Sequence, residues 1–308
     1  MSATPILLDT DMGLDDAAAL ILALSDPRID LRAIVATGGN VPLAQAELNI
    51  GRLLRGTGQT ARPIIGRGLD QDEAALERAH HVHGDDGLGG VDLPPDPKQR
   101  AALFLDVYRD AVRGAAGKLE VVAIGPLTTL AAAMDDVEIR AGIARLHIMG
   151  GAVWRRGNVT EHAEFNFYRD PAAASRALTC GLPITLTPLD VTETVHVDES
   201  HIAHLAASAA RPTKVLASIL DAALSRSLGD GHFIVLHDAV SVARILWPEL
   251  FERMHVRIEV VTAGPQAGRS RPALGGAAEQ QIEVLSAVNG AELIDRMWEA
   301  LCHERFIV

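Results

Sequence analysis

The chain has 308 residues, of which 48% are apolar and 22% charged, the balance of a folded globular protein rather than a disordered one. Its 28 Lys and Arg against 40 Asp and Glu leave a net charge of -12, which repels phosphate backbones and anionic bilayers. Nucleic acid and membrane are therefore not the expected partners. The length suits a single large domain spanning 1–308, with a core that needs no disulfide or metal staple. There is no apolar run of about 18 residues and no basic, apolar leader in MSATPILLDTD, so neither a membrane span nor a signal peptide is expected. The two cysteines, Cys180 and Cys302, lie outside any CxxC pair and fit a reducing cytoplasm.

In chain order, residues 5–9 (PILLD) form a short apolar run and read as a buried strand. Residues 17–24 (AAALILAL) read as a buried helix, 31–37 as a second strand, 43–55 as a helix and 63–65 as a short third strand. Residues 99–113 predict a helix, 119–124 a strand broken by Gly125-Pro126, and 127–134 a helix. A strand at 145–149, a helix at 172–178 and a strand at 184–187 follow. This alternation predicts an α/β fold, an open and mostly parallel sheet flanked by helices, with a Rossmann-like core. Residues 200–246 are mainly helical, 256–261 and 281–288 are β-rich and predict a hairpin or a sheet edge, and 291–301 predict a closing helix. Two long loops, 67–98 and 150–170, stand out as functional segments.

Ligands of open parallel sheets bind beyond the carboxyl ends of the strands. There the first strand delivers four carboxylates in eight residues: Asp9, Asp11, Asp15 and Asp16, with Gly13 allowing a sharp turn. Asp15 and Asp16 suit a helix N-terminus, yet capping requires only one or two of the four. Crowded carboxylates call for a cation or a shared proton, and all-oxygen ligands favour Ca²⁺ or Mg²⁺.

The segment DTDMGLDDAAAL resembles the DxDPGxDDAxA signature of the inosine–uridine preferring nucleoside hydrolases. Further motifs follow in that family's order: TGGN (37–40), HGDDGLGG (83–90), AIGPLTTLA (123–131), IMGGAVWRRGNVTEHAEFNFYRDPAAA (148–174) and LHDAVSVA (236–243). The resemblance implies hydrolysis of the N-glycosidic bond of ribonucleosides around one bound Ca²⁺, in a homodimer or homotetramer. Carried over by position, Asp11, Asp16, Asp238 and the carbonyl of Ile124 are the calcium ligands, and Asp11 is the general base for a calcium-held water. Asp15, Asn40, Met149, Asn158, Glu164 and Asn166 are the matching substrate-binding positions around an oxocarbenium-like transition state. His237 stands where one subgroup keeps its leaving-group acid, and His83 is a base-side candidate.

Other readings compete at several positions. A DxD phosphatase would use Asp9 as nucleophile with Mg²⁺, and a non-catalytic nucleoside or ribose sensor would keep the site without turnover. His80, His81 and His83 invite a zinc reading, but no Cys partner or HExxH helix accompanies them. GPLTT lacks the phosphate-loop pattern. Phe165 and Phe167 fit core packing as well as a pocket wall. The sequence departs from the family at Met12, where proline is usual and where a changed turn rigidity is expected. It also departs at 153–156, one residue longer than expected, where Trp154 is a candidate for stacking on the base. Arg155 and Arg156 pose either a preference for a charged substrate or simple surface exposure. Residues 225–233 lack the tyrosines associated with pyrimidine preference.

Overall fold

The computed structural model describes residues 3–59, 63–70, 80–226, 233–273 and 281–302. Seven strands come first: β1 (Thr4–Thr10), β2 (Ile29–Ala36), β3 (Ile64–Arg67), β4 (Ala101–Leu103), β5 (Leu119–Ala123), β6 (Ile143–Met149) and β7 (Ile184–Thr187). They are followed by β8 (His196–Asp198), β9 (Phe233–Val235), β10 (Phe251–Val256), β11 (Ile258–Val260), β12 (Ser270–Pro272) and β13 (Ile282–Val288). Nine of them make one sheet, in the order β10-β13-β7-β6-β5-β1-β2-β3-β4. All neighbours run parallel except β10 against β13. The expected α/β architecture is thus the observed one.

The chain builds outward from β1 in both directions, to β2 on one side and to β5 on the other. That reversal opens a crevice at the carboxyl end of β1, where α/β sheets bind ligands. Both faces of the sheet are covered, which is why its inner strands read as unbroken apolar runs. On one face Ile6, Leu8, Val122 and Met149 pack with the helices Leu14–Ser25, Arg211–Leu224 and His237–Leu246. On the other, Leu7, Val121 and Ile148 pack with Phe104–Ala115 and Pro171–Leu178. Helix Leu14–Ser25 stops where Asp26 precedes Pro27, a residue pair that disfavours helical backbone.

Three details correct or sharpen the expected elements. Residues 101–103 are not helical: they add β4 to the free edge of β3, and the helix begins at Phe104. Of the hairpin or sheet edge expected from 256–261 and 281–288, the structure takes the edge: β13 enters the main sheet beside β7, β10 pairs antiparallel with it as the last strand with Val256 opposite Ile282, and β11 pairs with β12. Residues 137–142 form an unanticipated helix, capped by Asp136, whose carboxylate accepts from the amides of Glu138 and Ile139. No helix among the described residues is long and apolar enough to cross a membrane.

Candidate active site

Asp11, Met12 and Gly13 carry the chain from β1 into helix Leu14–Ser25. Met12 is fully buried and holds a left-handed backbone, φ +51°. Proline, fixed near about -65°, cannot make this turn. Met12 therefore does more than change the rigidity of a proline turn: it takes a different one, of the strained kind that clusters at functional sites.

The turn delivers its carboxylates inward. Asp16 Oδ1 accepts from Thr10 Oγ1 at 2.5 Å, and its Oδ2 accepts from Gly13 N at 2.8 Å and Asn40 Nδ2 at 3.3 Å. Asp11 Oδ2 accepts from Asn40 N at 2.6 Å. A side chain at Gly39 would strike Asp11, since a Cβ there would lie 2.0 Å from Oδ2. Asp238, in the first turn of helix His237–Leu246, faces the same point: carboxylate oxygens of Asp15, Asp16 and Asp238 lie within 4.8 Å of one another.

Burial, and then repulsion from Asp16, pushes Asp11 well above the usual carboxylate range. The same causes push Asp15 to about 7. Asp238 is raised well above its ordinary value by burial and by the charges of Asp15, Asp16 and Asp11. Among the described residues, Asp11 Oδ1 and Asp15 Oδ1 are buried with no hydrogen-bond donor. Donor-less oxygens in a dense carboxylate cluster fit a hard divalent cation.

Glu164 and Asn166 approach from the loop after β6. Glu164 caps helix Phe165–Arg169, accepting from the amides of Gly151, Asn166 and Phe167 at 2.8–3.1 Å. Burial raises its pKa, against the pull of these amides. Asn166 Nδ2 donates to the carbonyls of Ile124 (3.0 Å) and Met149 (3.3 Å), which joins β5 and β6 at their carboxyl ends. A carbonyl has a second lone pair, so Ile124 O keeps the capacity for another partner.

Asp9 does not belong to this constellation. Its Oδ2 accepts from the buried Tyr108 hydroxyl at 2.9 Å, on the face of the sheet away from Asp16. Burial pushes its carboxyl to about 7, and it is 1% exposed. A side chain so enclosed is no phosphatase nucleophile.

The family model of the inosine-uridine preferring nucleoside hydrolases matches residues 6–295. The chain belongs to that family. The pyrimidine-specific ribonucleoside hydrolase RihA of Escherichia coli is 34% identical over 267 residues, covering 85% of this chain and 86% of that one. A plant nucleoside hydrolase superposes with a TM-score of 0.90 at 27% identity, covering 97% of this chain and 99% of the other. A purine-preferring ribonucleoside hydrolase from Gardnerella vaginalis gives 0.89 at 27% identity, covering 97% and 98%. The chain is accordingly an N-glycosyl hydrolase.

Within this nucleoside hydrolase frame the base-side positions are less closely gathered. His237 Nδ1 shares a hydrogen bond with Thr192 Oγ1 at 2.8 Å. Burial, and then the nearby charge of Arg155, lowers the pKa of His237 to about 4, so the ring is neutral at neutral pH. His83 is buried against the start of helix Leu14–Ser25: its Nδ1 accepts from Leu14 N at 3.2 Å and lies 3.9 Å from Asp15 Oδ1. The side chains of His80 and His81 and most of the 225–233 segment lie outside the described residues. Phe167 is fully buried core beneath Gly150 and Gly151.

Asn158 and Trp154 are exposed, and no contact ties either to the acidic cluster among the described residues. Asn158 Oδ1 accepts from Phe165 N, and Trp154 is 46% exposed, with its amide held by Asp190. The adjacent arginines separate: Arg155 pairs with Glu193 near His237, whereas Arg156 pairs with Glu161 in solvent.

Sequence reading missed Thr10, Thr192 and Arg226. Thr10 lies inside the acidic motif itself. Arg226 Nη1 donates to Gly89 O, and Gly89 N donates to His83 O, so it latches the HGDDGLGG loop to the end of helix Arg211–Leu224. No motif marks Arg226, because only the fold brings that loop to it.

Proposed function

We propose that this chain hydrolyses the N-glycosidic bond of purine and pyrimidine ribonucleosides, releasing free base and ribose with Ca²⁺ bound at the acidic cluster. The observation that carries this reading is the buried set Asp11, Asp15, Asp16 and Asp238 at the carboxyl end of β1. Asp11, Asp16, Asp238 and the carbonyl of Ile124 would hold the ion, with Asp15 in the same cluster. When bound, the cation keeps these carboxylates ionised and makes a neighbouring water more acidic.

The chain's own groups then divide the work. Asn40 N fixes Asp11 through Oδ2, which leaves Oδ1 to take a proton from the attacking water. Asp15, Asn40, Glu164 and Asn166 surround the sugar with acceptors and amides that hold its hydroxyls. They also favour the positive charge that develops on the ring. Met149 and His83 back this wall, and Asn158 and Trp154 close its outer rim. His237 is neutral and has its Nδ1 engaged with Thr192, so it offers Nε2 to the leaving base by hydrogen bonding.

The named relatives differ in base preference, so this chain's own preference comes from direct assay. The protein is incubated with inosine, uridine, cytidine, adenosine and guanosine, with calcium or with excess chelator, and free ribose is measured. Release that chelator abolishes and calcium restores is the expected result. Nucleoside binding in calcium without release would instead mean a sensor on this scaffold. The same reading carries the expectation of a cytoplasmic homodimer or homotetramer, which light scattering tests for assembly.

A further inference from the structure

A second polar cleft opens at the other end of the same sheet face. Side chains alternate along a strand, so Glu120 shares its face with Val122 on β5, and Arg145 and His147 share theirs with Met149 on β6. At the carboxyl ends this face meets the catalytic cluster. At the amino ends it forms a cleft of about 380 Å³ that also takes in Thr185, Arg244, Arg253 and Glu283. β1, whose first residue lines the cleft, is seven residues long, so the outer limit of the cleft lies about 20 Å from the carboxyl end of that strand.

The cleft is crossed by hydrogen bonds. Glu283 Oε1 accepts from Arg244 Nη2 at 2.9 Å and from Thr185 Oγ1 at 3.0 Å, while Arg253 Nε lies 3.5 Å from Oε2. His147 Nε2 and Glu120 Oε2 are 2.6 Å apart. Arg145 Nη1 donates to Thr185, and among the described residues Arg145 makes no direct ion pair, its charge reaching Glu120 and Glu283 only at longer range. Three guanidiniums thus face two carboxylates, which leaves a positive surplus in an otherwise acidic protein. Among the described residues of the cleft one buried guanidinium nitrogen, Arg244 Nε, also lacks a partner. Surplus positive charge with an unused guanidinium donor fits an anion site, and guanidinium forks match phosphoryl oxygens two at a time.

We propose that this cleft binds a small phosphorylated metabolite, with the phosphoryl group held among Arg145, Arg244 and Arg253. The volume is that of a small-molecule site and accommodates a sugar-sized ester rather than a bare ion. The hydrolytic reaction needs no such ligand, so this is a site separate from the catalytic one. The two are joined mechanically by helix His237–Leu246, which carries Asp238 at its first turn and Arg244 at its last.

Isothermal titration calorimetry on the full chain tests this, with ribose 5-phosphate and inorganic phosphate as probes and excess chelator present to keep cations from bridging anions to the acidic cluster. One ribose 5-phosphate per chain is expected, bound more tightly than inorganic phosphate. Arg145→Gln and Arg253→Gln should each weaken it about tenfold or more. Arg253 is half-exposed on the edge strand β10, so its variant folds even where a more enclosed substitution fails. Asp11→Asn should leave the affinity unchanged. The proposal is overturned by the absence of saturable binding, by binding that survives both arginine substitutions, or by binding that Asp11→Asn removes. Equal affinity for both probes overturns the metabolite and leaves only an inorganic phosphate site.

Discussion

The two ends of one sheet face bury charge in opposite ways. At the carboxyl ends, Asp11, Asp15, Asp16 and Asp238 crowd together, and burial with mutual repulsion drives Asp11, Asp15 and Asp238 upward. At the amino ends, burial also pushes Glu120 and Glu283 up, but His147 and the arginines outweigh it and hold both below their ordinary values. Like charges kept together mark a place completed from outside, whereas interleaved charges largely complete themselves. The first arrangement sacrifices local stability for chemistry. The second is stable unaided and keeps only a modest surplus for a ligand.

The comparison breaks most sharply at Asp11. Asp11→Asn keeps the shape of the side chain and removes the base, so kcat should fall about 10²–10⁴-fold. That corresponds to about 3–5 kcal/mol in the barrier. Ribose release under saturating nucleoside measures it, and a loss smaller than about tenfold would place the base elsewhere.

Next in size is the response to calcium. At free calcium about 100 times its dissociation constant, the folded state should gain about 2.7 kcal/mol, read as a rise in melting temperature. Asp238→Asn should lose most of that gain, and Glu283→Gln should keep all of it. Magnesium producing the same rise at equal concentration would overturn the assignment to calcium.

The two ends also differ in how far they could be read from sequence. Three members of the acidic cluster lie within the six contiguous residues 11–16, where carboxylate crowding alone pointed to a cation, and the remote member, Asp238, was reached through the family resemblance of its own motif. The parallel sheet was equally readable, because strands buried on both faces leave apolar runs. The amino-end cleft was not, since Glu120, Arg145, His147, Arg244 and Glu283 are scattered over the chain and each looks like an ordinary surface charge. Backbone conformation was hidden too. Met12 reads as a lost proline, and only its φ of +51° reveals a turn that proline cannot enter. Met12→Pro, although it restores the family residue, should therefore destabilise the protein by about 1–3 kcal/mol and lower nucleoside hydrolysis. A variant as stable and active as the parent would disprove the left-handed turn.

The smallest effect tests whether the two ends are independent. Glu283→Gln keeps an acceptor for Arg244 and Thr185 but deletes the charge facing Arg244 and Arg253, a loss on the order of 1 kcal/mol. Glu283 is held below its ordinary value of 4.5, so its contribution is fully present above that pH and fades as pH falls through the lowered value. The gap in melting temperature between parent and variant should hold steady from neutral pH down to about 5, then close under more acidic conditions. Hydrolysis at neutral pH should not change, because no cleft residue touches the acidic cluster. If hydrolysis falls along with stability, helix His237–Leu246 transmits the disturbance from Arg244 to Asp238. The two ends would then form one coupled device rather than two separate solutions to burying charge.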